Sequence, residues 1–385
     1  MKSFDVQELL ETAKRSTELS DFGPADFLEG MNAFIGSVNA QGEIADRLWT
    51  HMYERLQRLL VNRLWFAKDV AAHPEITNEN VDTPAIIVSL PRTGSTKLHR
   101  MLGAADDFQT VKLWQVHLPS RIPGLEDGGR AKRIQQTREY EKWLYETSPE
   151  TITGHPVFTD EPEEDQLLNE FTFRTTYLGG AFNVPAYSQW LMQADSNPTY
   201  DYFLGQIKYF QWQNRLTTAK PWLLKTPNHL GNERHMTRIF KNPRFILTHR
   251  DPVTSMASVA NLVRNSRKMY SDVDSSAGIG PMLIQVFGYL AMEHIKWRDS
   301  HPEIPILDLS FREITQDGPS AARKVYDFLG LPLPTASLRA MREWETNNER
   351  DKHGKNVYSS QVSGAGDSEI RTAFAPYIAR YKQFL

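Results

Sequence analysis

The run Ala85-Ile86-Ile87-Val88-Ser89-Leu90 constrains this chain more than any other stretch. It is short and almost continuously apolar, which suits a strand buried on both faces of a parallel sheet. Pro91 to Gly94 then reads as a turn, and residues 95–104 read as a helix. A parallel sheet needs further strands joined by crossovers. Trp222-Leu223-Leu224, Arg244-Phe245-Ile246-Leu247-Thr248 and Ile306-Leu307-Asp308-Leu309 supply them, with helical patterns after Pro227 and Pro252. Strands alternating with helices predict an α/β fold with a doubly wound parallel sheet.

Residues 4–75 read as helices. Leu48, Met52, Leu56, Leu59, Leu60 and Leu64 recur at helical spacing and form one apolar face. Pro74 and the polar run Thr77 to Thr83 look like a linker. The expected division is therefore a helical N-terminal region, 1–83, and an α/β domain, 84–385. Within the latter, 129–219 is a helical, aromatic-rich insertion carrying Phe171, Phe173, Tyr177, Phe182, Tyr187, Trp190, Tyr200, Tyr202, Phe203, Tyr209, Phe210 and Trp212. These rings serve as the core of the insertion, as the lining of an acceptor pocket, or as both for different rings.

Composition removes several function classes. The 385 residues are 40% hydrophobic and 24% charged, which is ordinary for a globular chain. A net charge of −3 gives no global attraction for nucleic acid, so any anion site must be a local cluster. The absence of cysteine excludes disulfides, thiolate metal sites and cysteine nucleophiles. The N-terminus turns acidic at once, without the apolar segment of a signal peptide. No run reaches the roughly 18 apolar residues that would span a bilayer. The expectation is a cytoplasmic protein with no nucleic-acid partner and no membrane span; a homo-oligomer stays open.

Leu90-Pro91-Arg92-Thr93-Gly94-Ser95-Thr96-Lys97 lies between strand and helix. Such a junction presents backbone N–H groups and the positive end of a helix dipole to an anion. Gly94 lets the backbone approach closely, and Ser95 and Thr96 add hydroxyl donors. This is not the nucleotide-triphosphate cradle G-x-x-x-x-G-K-[ST]. With Gly94 as its second glycine, Ser95 stands where the lysine belongs, and Lys97 falls two positions later, inside the helix. A second anion site follows from Arg250, at the end of a strand, and Ser258, nearly two helical turns beyond Pro252. Two such sites on one sheet edge suit a nucleotide with separate 5′- and 3′-phosphates.

The loop around Arg92 and the Arg250-Asp251-Pro252…Ser258 segment resemble the 5′- and 3′-phosphate motifs of sulfotransferases that use 3′-phosphoadenosine-5′-phosphosulfate (PAPS). The likeness is closest to the bacterial branch whose arginine-type loop is shared with tyrosylprotein sulfotransferases, and it extends from about residue 84 to 385. Val184-Pro185-Ala186-Tyr187, the segment Trp222 to Leu230 and Tyr326-Asp327-Phe328-Leu329-Gly330-Leu331 also look like that branch. The resemblance implies a P-loop-kinase-like α/β fold, PAPS as donor and PAP as product. It implies that Arg92, Thr93, Gly94, Ser95 and Thr96 hold the 5′-phosphosulfate and that Arg250 and Ser258 hold the 3′-phosphate. Phe311 sits where many members have a tyrosine and lacks its hydroxyl. Lys355 lies where relatives bring a loop over the nucleotide; it pairs with a phosphate or is a solvated basic residue. Lys225-Thr226-Pro227 matches a catalytic lysine of the tyrosylprotein enzymes.

Sulfuryl transfer would resemble phosphoryl transfer in form, so positioning and cations do most of the work. Arg92 and Lys225 are the candidate cations. No carboxylate cluster with metal-ligand spacing stands beside the loop, in keeping with transfer that needs no metal. The acceptor hydroxyl must lose its proton to a base. His117 is the first candidate, in a His-Leu-Pro run that resembles the base segment of cytosolic sulfotransferases. Many members of the closer branch have Trp-Glu where this chain has Trp114-Gln115, and glutamine cannot act as a base. Glu163 and Glu164 are the second candidates, unless they are a solvated helix start; His229 is a third. The aromatic insertion favours a small, hydrophobic alcohol or phenol as acceptor. A catalytically inactive PAP-binding protein and a nucleotide-dependent kinase on the same fold are the alternatives.

Overall fold

The structure is a computed structural model and describes residues 2–214, 220–349 and 364–385. Strands β1 (Ala85–Ser89), β2 (Leu223–Lys225), β3 (Arg244–His249) and β4 (Ile306–Ser310) form one parallel sheet in the order β2-β1-β3-β4. The doubly wound α/β sheet expected from the sequence is therefore present. Central β1 aligns Ala85 with Leu223 on one side and with Arg244 on the other. All five of its residues are buried. Alternate side chains of a strand point to opposite faces. Accordingly Ile86, Val88, Leu224, Phe245 and Leu247 join one apolar cluster, and Ala85, Ile87, Leu223 and Ile246 join another.

The second cluster packs the helix Ser95–Gly103 and the later helices Gly318–Leu329 and Thr335–Asn347 through Leu98, Met101, Val325 and Met341. The first is larger. It takes in the N-terminal helices Val6–Thr17, Phe27–Gln41 and Trp49–Ala72 together with the insertion. Met52, Leu56, Leu59, Leu60 and Leu64 are buried there, and Leu48 is buried at the start of the helix Trp49–Ala72. The segment read as a linker is tied down: Glu75–Asn78 is a helical turn and the Thr83 N–H donates to the Lys241 carbonyl at 2.9 Å. Arg63 joins the N-terminal helices to the insertion. It donates to the carbonyls of Phe171 and Pro24 at 2.9 Å each and lies between the rings of Phe27 and Tyr202, 4.0 and 4.5 Å from their centres.

The insertion's rings divide between the two roles weighed for them. Phe171, Phe173, Phe182, Tyr187, Phe203, Tyr209 and Phe210 are core. Tyr177 lines a cavity beside the sheet edge, and Tyr200, itself part of the core, reaches the same cavity.

Leu56 is fully buried on the helix whose Arg55 and Arg58 face that cavity. Leu56→Ala should destabilise the fold by about 2–5 kcal/mol, as buried leucine truncations do, read from urea unfolding midpoints. A loss under 1 kcal/mol would mean that the N-terminal helices are not part of the cooperative core.

Candidate active site

The loop after β1 turns back through two residues in left-handed backbone, Arg92 (φ 66°) and Gly94 (φ 85°). A Cβ on Gly94 would stand 3.2 Å from the Phe311 ring, so glycine meets both a conformational and a spatial demand there. The Thr93 hydroxyl contacts that of Thr248 on β3 at 2.7 Å and donates to the Leu90 carbonyl at 3.0 Å. Gly94, at the N-cap of the helix Ser95–Gly103, offers no side-chain cap, so the N–H groups of its first turn are open to an anion. Lys97 points elsewhere, to the Thr315 carbonyl at 3.3 Å and Glu345 at 2.5 Å.

The second motif meets the first directly. Helix Pro252–Tyr270 begins with proline at its first position and Asp251 as its cap, accepting from the Thr254 N–H at 3.0 Å. This places buried Ser258 so that its hydroxyl accepts from Arg92 Nε at 3.1 Å. Arg250 Nη1 donates to the Arg92 carbonyl at 3.0 Å, and its guanidinium lies 4.2 Å from the centre of the Phe311 ring. Phe311, without a hydroxyl, thus packs between Arg250 and Gly94.

At the end of β2 the Lys225 ammonium is buried and donates to Glu164 Oε1 at 2.8 Å and Thr96 Oγ1 at 3.2 Å. The Lys225 backbone N–H donates to Asp165 Oδ2 at 2.7 Å. His229 is also buried, with Nε2 at 2.8 Å from Asp165 Oδ1 but out of line for a hydrogen bond. The acidic run is not a solvated helix start. Glu163 is buried against His155 at 3.1 Å and Arg100 at 3.3 Å. Burial opposes its ionisation, yet His155, Arg100 and Lys225 together hold it well below the usual carboxylate range.

Arg92, Gly94, Ser95, Thr96, Arg250, Ser258, His117, Glu163 and Glu164 all line one cavity of about 1170 Å³. Single-ligand pockets run to roughly 1,000 Å³, so this one has room for a donor and an acceptor side by side. His117 stacks on Tyr140 with centroids 4.3 Å apart. Burial, with Arg58 and Arg55 nearby, pushes its imidazole well below the ordinary value. Gln115 is buried and its side chain accepts the Lys112 N–H at 3.0 Å, a helix-start role. Lys355 lies outside the described residues. Among the described residues no group of three or more metal-ligating side chains gathers, and no helix is long and apolar enough to cross a membrane.

Behind Arg250 a buried polar network anchors the strand. Asp308 accepts from Arg298 at 2.8 and 2.7 Å and from His249 Nε2 at 2.9 Å. With that nitrogen donating and burial keeping the ring neutral, His249 Nδ1 accepts from the Tyr377 hydroxyl at 2.8 Å. Burial works against Asp308, but these partners bring its carboxyl down to about 2.

A doubly wound parallel sheet with a glycine-bearing anion cradle after its central strand is the P-loop-kinase-like arrangement. The sequence profile of the sulfotransferase family matches residues 84–335, and the chain belongs to that family. Among solved structures, the sulfotransferase STF1 of Mycobacterium tuberculosis H37Rv superposes with a TM-score of 0.81 at 22% identity, over 97% of this chain and 99% of that one. The sulfotransferase STF9 of Mycobacterium avium gives 0.86 at 21% identity, over 98% of each chain. These likenesses speak for the fold. No curated protein is matched in sequence.

Sequence reasoning missed the cavity's wall from the first helical region. Arg55 and Arg58 line the cavity from the helix Trp49–Ala72, and buried Glu170 meets them from the insertion. Their one sequence signal is a pair of arginines three residues apart beside an apolar stripe, which is also how a solvated helix flank looks.

A carboxylate held low contributes stability that is present above its unfolded value, about 4, and is lost as pH falls toward its folded value, about 2 here. Asp308→Asn should therefore lower stability at pH 7 and flatten its fall between those pH values, read from urea midpoints. An unchanged slope would assign that acid sensitivity to other groups.

Proposed function

We propose that this chain moves a sulfuryl group from PAPS to the hydroxyl of a small-molecule acceptor and releases PAP. One observation carries the reading: Arg92 and Ser258, 166 residues apart, share a hydrogen bond while Arg250 holds the Arg92 carbonyl. The two phosphate motifs are thereby one continuous cradle, matched to a donor with phosphate at both ends. The loop N–H groups with Ser95 and Thr96 would hold the 5′-phosphate, and Arg250 with Ser258 the 3′-phosphate.

In the reaction the acceptor oxygen bonds to sulfur as the bond from sulfur to the 5′-phosphate oxygen breaks. The electron pair leaves with that oxygen, so negative charge grows on the phosphate. Arg92 lies in the loop itself, and Lys225 is one hydroxyl away through Thr96. Both are placed to stabilise that charge. The geometry favours Glu164 over His117 as the group that takes the hydroxyl proton. Burial and the neighbouring arginines weaken the His117 imidazole as a proton acceptor. Glu164 stands at the donor edge of the cavity, and a proton arriving there loosens its ion pair with Lys225 as the leaving phosphate needs that cation. Glu163, held by Arg100 and His155, is a positioning residue for this segment.

Ser258→Ala should weaken PAP by roughly tenfold or more and adenosine 5′-phosphate much less, by calorimetry, whereas Arg250→Ala, which also releases the Arg92 carbonyl, should weaken both, PAP more. Equal losses for both nucleotides would remove the 3′-phosphate assignment. Stabilisation by ATP with Mg²⁺ but not by PAP would return the chain to the kinase reading.

Glu164→Gln should lower kcat by about 10²–10⁴, with His117→Ala the milder change, in steady-state assays with labelled PAPS and an aliphatic alcohol. The reverse order would make His117 the base. Tight PAP binding without turnover on any acceptor would mark a nucleotide-binding protein that has lost catalysis.

A further inference from the structure

The cavity contains a second charged group that sulfuryl transfer does not use. Arg55 and Arg58 have side chains only 11% and 18% exposed. Glu170 Oε2 serves both, accepting from Arg55 Nε at 3.2 Å and Nη2 at 2.7 Å and lying 3.8 Å from Arg58 Nη2. Arg55 also donates to the Tyr270 hydroxyl at 2.8 Å, and Arg58 Nη1 to the His117 carbonyl at 2.5 Å. Tyr177 has its ring centre 5.3 Å from the Arg55 guanidinium.

The charges here do not balance. Burial raises Tyr177 to about 12 and Tyr140 further, so neither phenol is an anion. His117 is neutral. Two guanidinium groups therefore face one carboxylate. Glu54, Glu139 and Asp195 also line the cavity but are exposed at its rim, and Glu163 is engaged by Arg100 and His155. An enclosed cation without a matching anion is costly. Burial, joined by the charge of Arg55, pulls Arg58 down against the lift from Glu170. An anion entering with a ligand would complete the set, and a guanidinium suits a planar or tetrahedral oxyanion.

We propose that the acceptor is a hydroxyl compound bearing a single oxyanion, received by Arg58, with its apolar body against Tyr140 and Tyr177 and its hydroxyl toward Glu164. The proposal rests on reading this cavity as the acceptor site, and it replaces the neutral alcohol or phenol expected from aromatic content alone. A carboxylate and a phosphonate offer the same chemistry at different charge.

The test is calorimetry on the full chain saturated with PAP, using 3-(4-hydroxyphenyl)propanoate, its methyl ester and 4-hydroxybenzylphosphonate. At least one anion should bind roughly 10- to 100-fold more tightly than the ester. Arg58→Gln should erase that preference and Arg58→Lys retain part of it. Equal binding of ester and anions by the unaltered protein overturns the proposal, and that comparison needs no variant to fold. So does an Arg58→Gln loss as large for PAP as for the anions, since the arginines would then belong to the donor site. A preference for the anions in a protein that binds no PAP keeps this inference and removes the donor assignment.

Discussion

The hydrogen bond from Arg250 to the Arg92 carbonyl, 3.0 Å long, joins the ends of β3 and β1 and fixes the turn between sheet and helix. Arg92 adopts left-handed backbone, which costs a residue with a side chain roughly 1–2 kcal/mol. A charge-assisted bond to its carbonyl contributes about 1.5–3 kcal/mol, enough to offset that strain. The same guanidinium rests on Phe311, which in turn limits the space over Gly94. The cradle is thus shaped from behind by the residue that also forms its far end.

That arrangement explains why so much polar structure is buried below the site. His249 immediately precedes Arg250 and is held on both ring nitrogens, by Tyr377 from the C-terminal helix Ala375–Tyr381 and by Asp308 from β4. The far side of the cradle is braced in a similar way. Arg100, on the helix after the loop, donates to the Pro156 and Pro162 carbonyls at 2.8 and 3.2 Å and meets Glu163. This fixes the segment that carries Glu164 to Lys225. Fully partnered networks of this kind favour one geometry over its near neighbours.

The parts of this fold that were legible in the sequence are those whose information is local. β1 shows as an apolar run because both its faces are covered, and the cradle shows because its groups come from adjacent residues. The Arg250 and Ser258 motif is readable because a helix fixes the spacing between them. What escaped depends on contacts between distant residues. Glu163 and Glu164, read as candidate bases, could not be told from a solvated helix start because Arg100 and Lys225, their partners, lie 63 and 61 residues away. Arg55 finds Glu170 and Tyr270 across 115 and 215 residues. Apolar periodicity identified the buried face of the helix Trp49–Ala72 and carried no information about what its flank would meet.

That helix has a wider consequence. The groups proposed to grip the nucleotide sit on the loop and helix that leave the sheet edge, where a change at one position would disturb strands, loop and network together. Arg55 and Arg58 are carried instead on a helix that precedes the sheet in the chain, anchored by its own leucine stripe. If they receive the acceptor as proposed, substitutions on that flank would alter which molecules enter while leaving the sheet-edge machinery in place. Duplicated copies of such a chain are free to diverge in diet while keeping one chemistry.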